Sequence, residues 1–248
     1  MWIKMMSFWR VLSSERLKMS KSYVWLLVIG SPVLSLVPGL LSDNQGEKMS
    51  WELLLSVMSM MHALLFLPVL SGIFAALICR YEHHDGGWKL LLSLPVTRLS
   101  VYLSKYVMII GLLAAVQVTF LVMVLGMGLF RGAPDPIPWA LLLKSVFGGF
   151  VACLPLAALQ LAISQSWSSF GAPLALNVSL TIPNILIANS STYGPYYPWV
   201  QPLLAMSPYG DDGFGAFNLP LETLMMIVGG SLIVFFAAGL ISFYRKAV

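Results

Sequence analysis

Glu82, His83, His84 and Asp85 stand in an unbroken row, four side chains able to ligate a metal or exchange protons. Adjacent residues do not converge on one helical face, whereas helical metal pairs use spacings of three or four. The row therefore reads as a solvated loop rather than a metal site. The chain has no HExxH, no GxSxG and no Walker-type lysine loop, so no nucleotide site is expected in it. Cys79 and Cys153 both lie in apolar runs and suggest neither a disulfide framework nor a metal cluster. No catalytic, cofactor-binding or metal-ligating residue is assigned.

A second set of polar residues lies inside apolar runs: His62, Gln117, Gln160 and Asn177, with Lys144 near the start of one run. Ionisable groups within a membrane are functional candidates by default, and the first four form a candidate intramembrane polar or substrate path. The plainer role, favoured here, is bridging between helices, worth about 0.6–2 kcal/mol per bond. Ion-coupled transport is expected to bury a carboxylate, and none is expected deep in an apolar run; Asp135 and Glu222 fall at run ends. Any energy for transport is then expected to come from outside the chain.

These residues must be held by membrane helices. The chain has 248 residues, 58% of them hydrophobic and only 10% charged. Its mean hydropathy is +0.85. A soluble domain carries about 25% charged residues, so lipid is the natural solvent. A bilayer core takes about 20 apolar residues per helix. Six runs qualify: Tyr23–Leu41, Leu53–Cys79, Val101–Phe130, Trp139–Ile163, Gly171–Ala188 and Leu221–Tyr244. Pro173, Asn177 and Pro183 interrupt the fifth. The first is too long for the apolar core of a signal peptide and lacks a small-residue cleavage site, so the N-terminus is expected to be retained.

Orientation follows from lysine and arginine. Lys4, Arg10, Arg16, Lys18 and Lys21 precede the first run, Arg80, Lys89, Arg98 and Lys105 lie around the second junction, and Arg245 and Lys246 end the chain. Six spans place all three groups on one side, the cytoplasmic one, together with both termini. The other side receives only Lys48 and Arg131, with Lys144 nearby. Residues 1–22 read as an amphipathic interfacial helix, with Trp2, Met5, Met6, Trp9 and Leu12 at helical spacing among basic residues. Residues 189–220 are too aromatic for a free solvated loop and read as an external, hairpin-like segment at the membrane surface. Paired glycines, Gly126 with Gly128, Gly148 with Gly149 and Gly229 with Gly230, signal close helix packing.

The stretch "RYEHHDGGWKLLLSLPVTRLSVYLSKY", Arg80 to Tyr106, is the densest interior run of charge. Trp88, Leu91, Leu92 and Leu94 give it an apolar side, and Glu82, Asp85, Lys89 and Arg98 a charged one. It resembles the cytoplasmic loop of ABC-2-type transporter membrane subunits, in which an acidic residue, glycine, a leucine pair, proline, a Ser/Thr-Arg pair and lysine follow in order. Here these are Glu82, Gly86 and Gly87, Leu91 and Leu92, Pro95, Thr97 and Arg98, and Lys105. Where the family has threonine after glycine, this chain has Gly87 and Trp88. The chain's length and the wording of this loop look most like the permeases of lantibiotic and bacitracin immunity exporters.

The resemblance implies an all-α membrane protein, a single transmembrane domain over residues 1–248. Six spans, an N-terminal interfacial helix and a cytoplasmic coupling helix at 80–100, between spans two and three, are expected. It implies that the loop docks on a separate ATPase dimer, which carries the ATP and magnesium, while this chain binds no cofactor. It further implies a second permease chain, identical or paralogous, surrounding membrane lipid, an amphiphilic peptide antibiotic as substrate, and a bacterial cell membrane as location. Neither nucleic acid nor chemistry of its own is expected of the chain. A membrane scaffold or sensor subunit that anchors a cytoplasmic partner without transport is the competing reading.

Overall fold

A computed structural model describes residues 2–20, 22–42, 48–83, 87–134, 136–207 and 215–246. Regular structure among them is entirely helical. This follows from the solvent: in hydrocarbon every backbone N–H and C=O must find its partner within the chain, and a helix achieves this within one segment. α1 (Trp2–Ser20) leads to α2 (Val24–Leu34) and α3 (Leu36–Leu41), which are nearly continuous. α4 (Trp51–Met61) and α5 (Leu67–His83) are joined by a π-helical turn, His62–Phe66, and α6 (Gly87–Ser93) is short. α7 (Arg98–Phe130) and α8 (Trp139–Ser166) are long; α9 (Gly171–Thr181), α10 (Asn184–Ala188) and α11 (Gln201–Met206) are short; α12 (Leu221–Arg245) ends the bundle.

Among the described residues five segments are long and apolar enough to cross a bilayer: Val24–Leu41, Trp51–His83, Arg98–Phe130, Trp139–Ser166 and Leu221–Arg245. The two of 33 residues are about 50 Å long at 1.5 Å per residue, well beyond a hydrocarbon core of about 30 Å. They must tilt or emerge from the membrane. The second span runs past the expected Cys79 to His83, and the third starts at Arg98 rather than Val101. The third gains its extra turn from Thr97, whose side chain accepts the Ser100 N–H as an N-cap.

The fifth expected span, 171–188, is not one helix. It breaks at Ile182 and Pro183 into α9 and α10. Pro183 has no N–H to donate, and its ring collides with the carbonyl four residues back. The two pieces still follow α5 in the opposite direction. The Arg80 guanidinium lies over the Phe170 ring, Asn177 bonds Pro68 O, and Asn184 bonds Leu64 O.

α8 is the central helix, packed against α5, α7, α11 and α12. At one end of the bundle the C-terminal ends of α5, α8 and α12 meet the start of α7 and the side of α1. At the other end the Arg131 guanidinium donates to the carbonyls of Gly39, Leu40 and Ser42 and so caps α3. There, too, α11 is buried along its whole length, and Ser145 donates to Met206 O at 2.7 Å. The region read as a hairpin-like loop is therefore, where described, a set of short helical turns, of which α11 packs against α8.

Candidate functional site

Four charges converge where α1, α5 and α7 meet. Lys105 Nζ lies 2.8 Å from Glu82 Oε2 and 3.2 Å from Glu15 Oε1, and donates to Ile78 O at 3.0 Å. The ammonium thus hydrogen-bonds Glu15 Oε1 and Ile78 O and faces Glu82 Oε2 as an ion pair. Lys18 Nζ completes the set, 2.7 Å from Glu82 Oε1 and 2.9 Å from Glu15 Oε1. The cluster is formally neutral. Glu15, Glu82 and Lys105 are all but inaccessible, and only Lys18 keeps partial contact with solvent. Two carboxylates and an ammonium this deeply buried hold their charge only because each is paired and hydrogen-bonded.

This corrects the reading of Glu82 as part of a solvated row. Glu82 and His83 are the last residues of α5, not loop; His84, Asp85 and Gly86 lie outside the described residues. Glu15 was missed as a site residue. Its signal was legible: Val11, Glu15 and Met19 recur every four residues and form the buried stripe of α1. A carboxylate inside an apolar stripe calls for a cation, and Lys18 stands three residues on.

α6 is seated on this cluster through Trp88. Its indole N–H donates to His83 Nδ1 at 3.2 Å, and His83 Nε2 is 2.8 Å from Ser164 O. An indole N–H can only donate, so Nδ1 accepts, and Nε2 carries the hydrogen given to Ser164 O. One neutral tautomer satisfies both bonds and ties α6 to α5 and α8. The Trp88 ring also meets Phe243 edge-on at 5.4 Å, with Lys246 Nζ 4.4 Å from its centre. Burial against this ring lowers the Lys246 ammonium from its usual range.

The other residues of the motif divide by contact. Gly87 is packed so closely on the end of α5 that a Cβ there would lie 2.9 Å from both Glu82 Cα and Tyr81 O. Leu91 and Leu92 are half-buried against the core, while Lys89, Leu90, Ser93, Leu94 and Pro95 face outward. Thr97 caps α7. Arg98 Nη1 donates to the carbonyls of Phe243, Tyr244 and Lys246, closing the C-terminal end of α12 as Arg131 closes α3.

The four intramembrane polar residues form two separate pairs. His62 Nε2 lies 3.0 Å from Gln117 Oε1, and the His62 ring stacks on Phe120 at 4.0 Å. Gln117 Nε2 donates onward to Val146 O, so these two residues link the π turn, α7 and α8. Gln160 Nε2 donates to Asn177 Oδ1 at 2.7 Å, and that oxygen also receives the Trp199 indole N–H at 2.7 Å. Asn177 Nδ2 donates to Pro68 O at 2.9 Å, in space left open by Gly72. All four side chains bridge helices, and no bond joins one pair to the other.

Among the described residues no group of histidine, cysteine, aspartate and glutamate is arranged to hold a metal. No curated protein matches the chain. Residues 11–184, which include the ion cluster, α6 and both polar pairs, match the family model described as ABC-2 family transporter protein. That match covers most of the chain, and the helices it spans are those of a multi-pass membrane protein. The chain belongs to the ABC-2 family of transporter proteins, the membrane component of systems whose ATPase is a separate subunit.

Proposed function

We propose that the chain is the permease subunit of an ATP-driven exporter, and that α6 is the element through which the ATPase moves it. The observation that carries this reading is the seat of α6. Its inner side is fastened by Trp88 and His83 to three long helices, and its outer side offers Leu90 (71% exposed), Leu94 and Pro95. A force applied to those outer residues passes into α5, α8 and α12 through these contacts. α9 and α10 are read as a sixth passage, which sets both termini and α6 on the cytoplasmic side. Supporting it, bonds from Asn177 to Asn184 track α5 in reverse from Pro68 to Leu64. α1 is read as an interfacial helix. Trp9 and Leu17 are exposed beside Arg10 and Arg16, while the side chains of Trp2, Met5 and Met6 lie outside what is described.

Two such permease chains, with an amphiphilic peptide antibiotic as cargo, complete the proposal; the wording of the Arg80–Tyr106 loop supports that substrate class. The test is reconstitution of the full chain with its ATPase in vesicles. ATP-driven movement of a lantibiotic-type peptide is expected, and Leu90→Glu with Leu94→Glu should reduce both ATPase association and transport while the permease remains folded. Stable ATPase binding with no ATP-dependent peptide movement would favour a non-transporting scaffold.

A further inference from the structure

Two hollows share the wall formed by Arg80 and Phe170. The smaller, about 150 Å³, lies between the ends of α5 and α8 and is lined by Ser164, Ser168 and Ser169. The larger, about 610 Å³, is an apolar groove between the start of α2 and the sides of α5 and α9, with Leu27, Ile73, Leu77 and Leu174 in its walls. Tyr23 and Tyr81 stand at its mouth, 85% and 48% exposed.

Arg80 is the charged residue common to both. Four other cations at this end of the bundle are committed: Lys18 and Lys105 to carboxylates, Arg98 to the end of α12, and Lys246 to Gln165 O and the Trp88 ring. Arg80 makes no ion pair among the described residues; its one described contact is the face of Phe170, 5.6 Å away. That stacking leaves the guanidinium edge and its forked N–H donors free to take an anion. The Ser164 hydroxyl, buried at the wall of the small hollow, has no hydrogen-bond partner among the described residues.

A cation with serine hydroxyls on one side and a long apolar groove on the other fits a molecule that is anionic at one end and hydrocarbon along the rest. Exposed tyrosines at the junction belong at headgroup depth. We propose that this is a binding site for one anionic phospholipid, its phosphate on Arg80 and the serines and an acyl chain in the groove between α2, α5 and α9. A lipid there touches the helix that leads directly into the Glu82 cluster and the α6 seat. The inference needs only that the chain spans a membrane, and stands or falls apart from any transport activity.

The test uses the full chain in phosphatidylcholine vesicles carrying trace spin-labelled lipid, read as the motionally restricted fraction by electron paramagnetic resonance. Labelled phosphatidylglycerol should be retained over labelled phosphatidylcholine by about fivefold, the preference expected of one basic residue at the surface. Arg80→Gln should abolish the preference, and Ile73→Trp, which fills the groove, should lower retention of both lipids. Lys89→Gln, on the outer side of α6, should leave the preference intact. An equal loss in Lys89→Gln and Arg80→Gln would reduce the effect to general surface charge and overturn the site. So would an unchanged preference in Arg80→Gln, or displacement of neither lipid by Ile73→Trp in protein that still elutes as a single folded species.

Discussion

Lys105 Nζ lies 2.8 Å from Glu82 Oε2, and this contact joins the head of α7 to the tail of α5 directly beneath α6. Replacing Lys105 with methionine keeps the volume but leaves Glu15 and Glu82 buried with only the half-exposed Lys18 as counter-charge. Breaking a buried ion pair from one side costs about 3–5 kcal/mol. Lys105→Met should therefore lower the thermal unfolding temperature of the purified protein sharply, and Lys18→Met should do so less. The double variant Glu82→Gln with Lys105→Met should recover part of the loss, since it removes the stranded charge as well as its partner. A double variant no better than Lys105→Met would mean that the pair is not coupled.

Trp88 sets the position of α6 by inserting into the buried core at this end of the bundle. Trp88→Ala should release the helix from His83 and Phe243 and raise amide exchange across residues 87–93, with the exchange of α7 and α8 unchanged. His83→Gln retains an acceptor or a donor but cannot serve Trp88 and Ser164 O with one planar ring, so it should loosen the same segment by a smaller factor. Gly87→Ala is a separate probe of the same seat. Its methyl would press on the backbone of α5, and overpacking of this kind costs about 1–3 kcal/mol. ATPase association should fall in all three variants before bundle stability does.

Much of this arrangement was legible in the chain. Long apolar runs declared the membrane helices, and the dense charge between Arg80 and Tyr106 marked this junction as unlike the rest of the chain. What stayed hidden was burial. Glu82 sits among charged neighbours and reads as solvated, because sequence does not say that Lys105, 23 positions away, folds back onto it one helix over. His83 reads in the sequence as one member of a solvated row, yet its two ring nitrogens link α6 to α8. The break in 171–188 was signalled by Pro183, but not that α9 and α10 would continue along α5 together. The bridging role of His62, Gln117, Gln160 and Asn177 followed from lipid offering no hydrogen bonds; which residue met which depended on helix order.

Asn184 answers a gap made by Pro68. Proline at 68 has no N–H, so the carbonyl of Leu64, four residues earlier, loses its helical partner; Asn184 Nδ2 supplies one at 2.9 Å. The preceding turn is already widened, with Leu67 N–H bonded to His62 O. Asn184→Ala should cost about 1–3 kcal/mol, the price of leaving a buried carbonyl unpaired. In a Pro68→Ala background, where the helix can satisfy Leu64 O itself, the same substitution should cost less. Unfolding measured around this double-mutant cycle should give a coupling energy clearly different from zero.

Arg98 and Arg131 perform the same task at opposite ends of the bundle, each donating to three carbonyls at a helix terminus. The end of α12 carries partial negative charge, so a cation there gains from the helix dipole as well as from its bonds. All three Arg98 bonds leave one nitrogen, Nη1, so lysine, with its charge and three donors on one ammonium, can replace part of the set. Arg98→Lys should retain part of the stability and Arg98→Gln less, with the difference read as amide exchange in the last turns of α12. Because Lys246 and Phe243 at that terminus also hold Trp88, Arg98→Gln should loosen α6 as well. Arg131→Gln should fray α3 and leave α6 protected. Equal exchange of α6 in the Arg98 and Arg131 variants would break the proposed connection between the α12 terminus and the seat of α6.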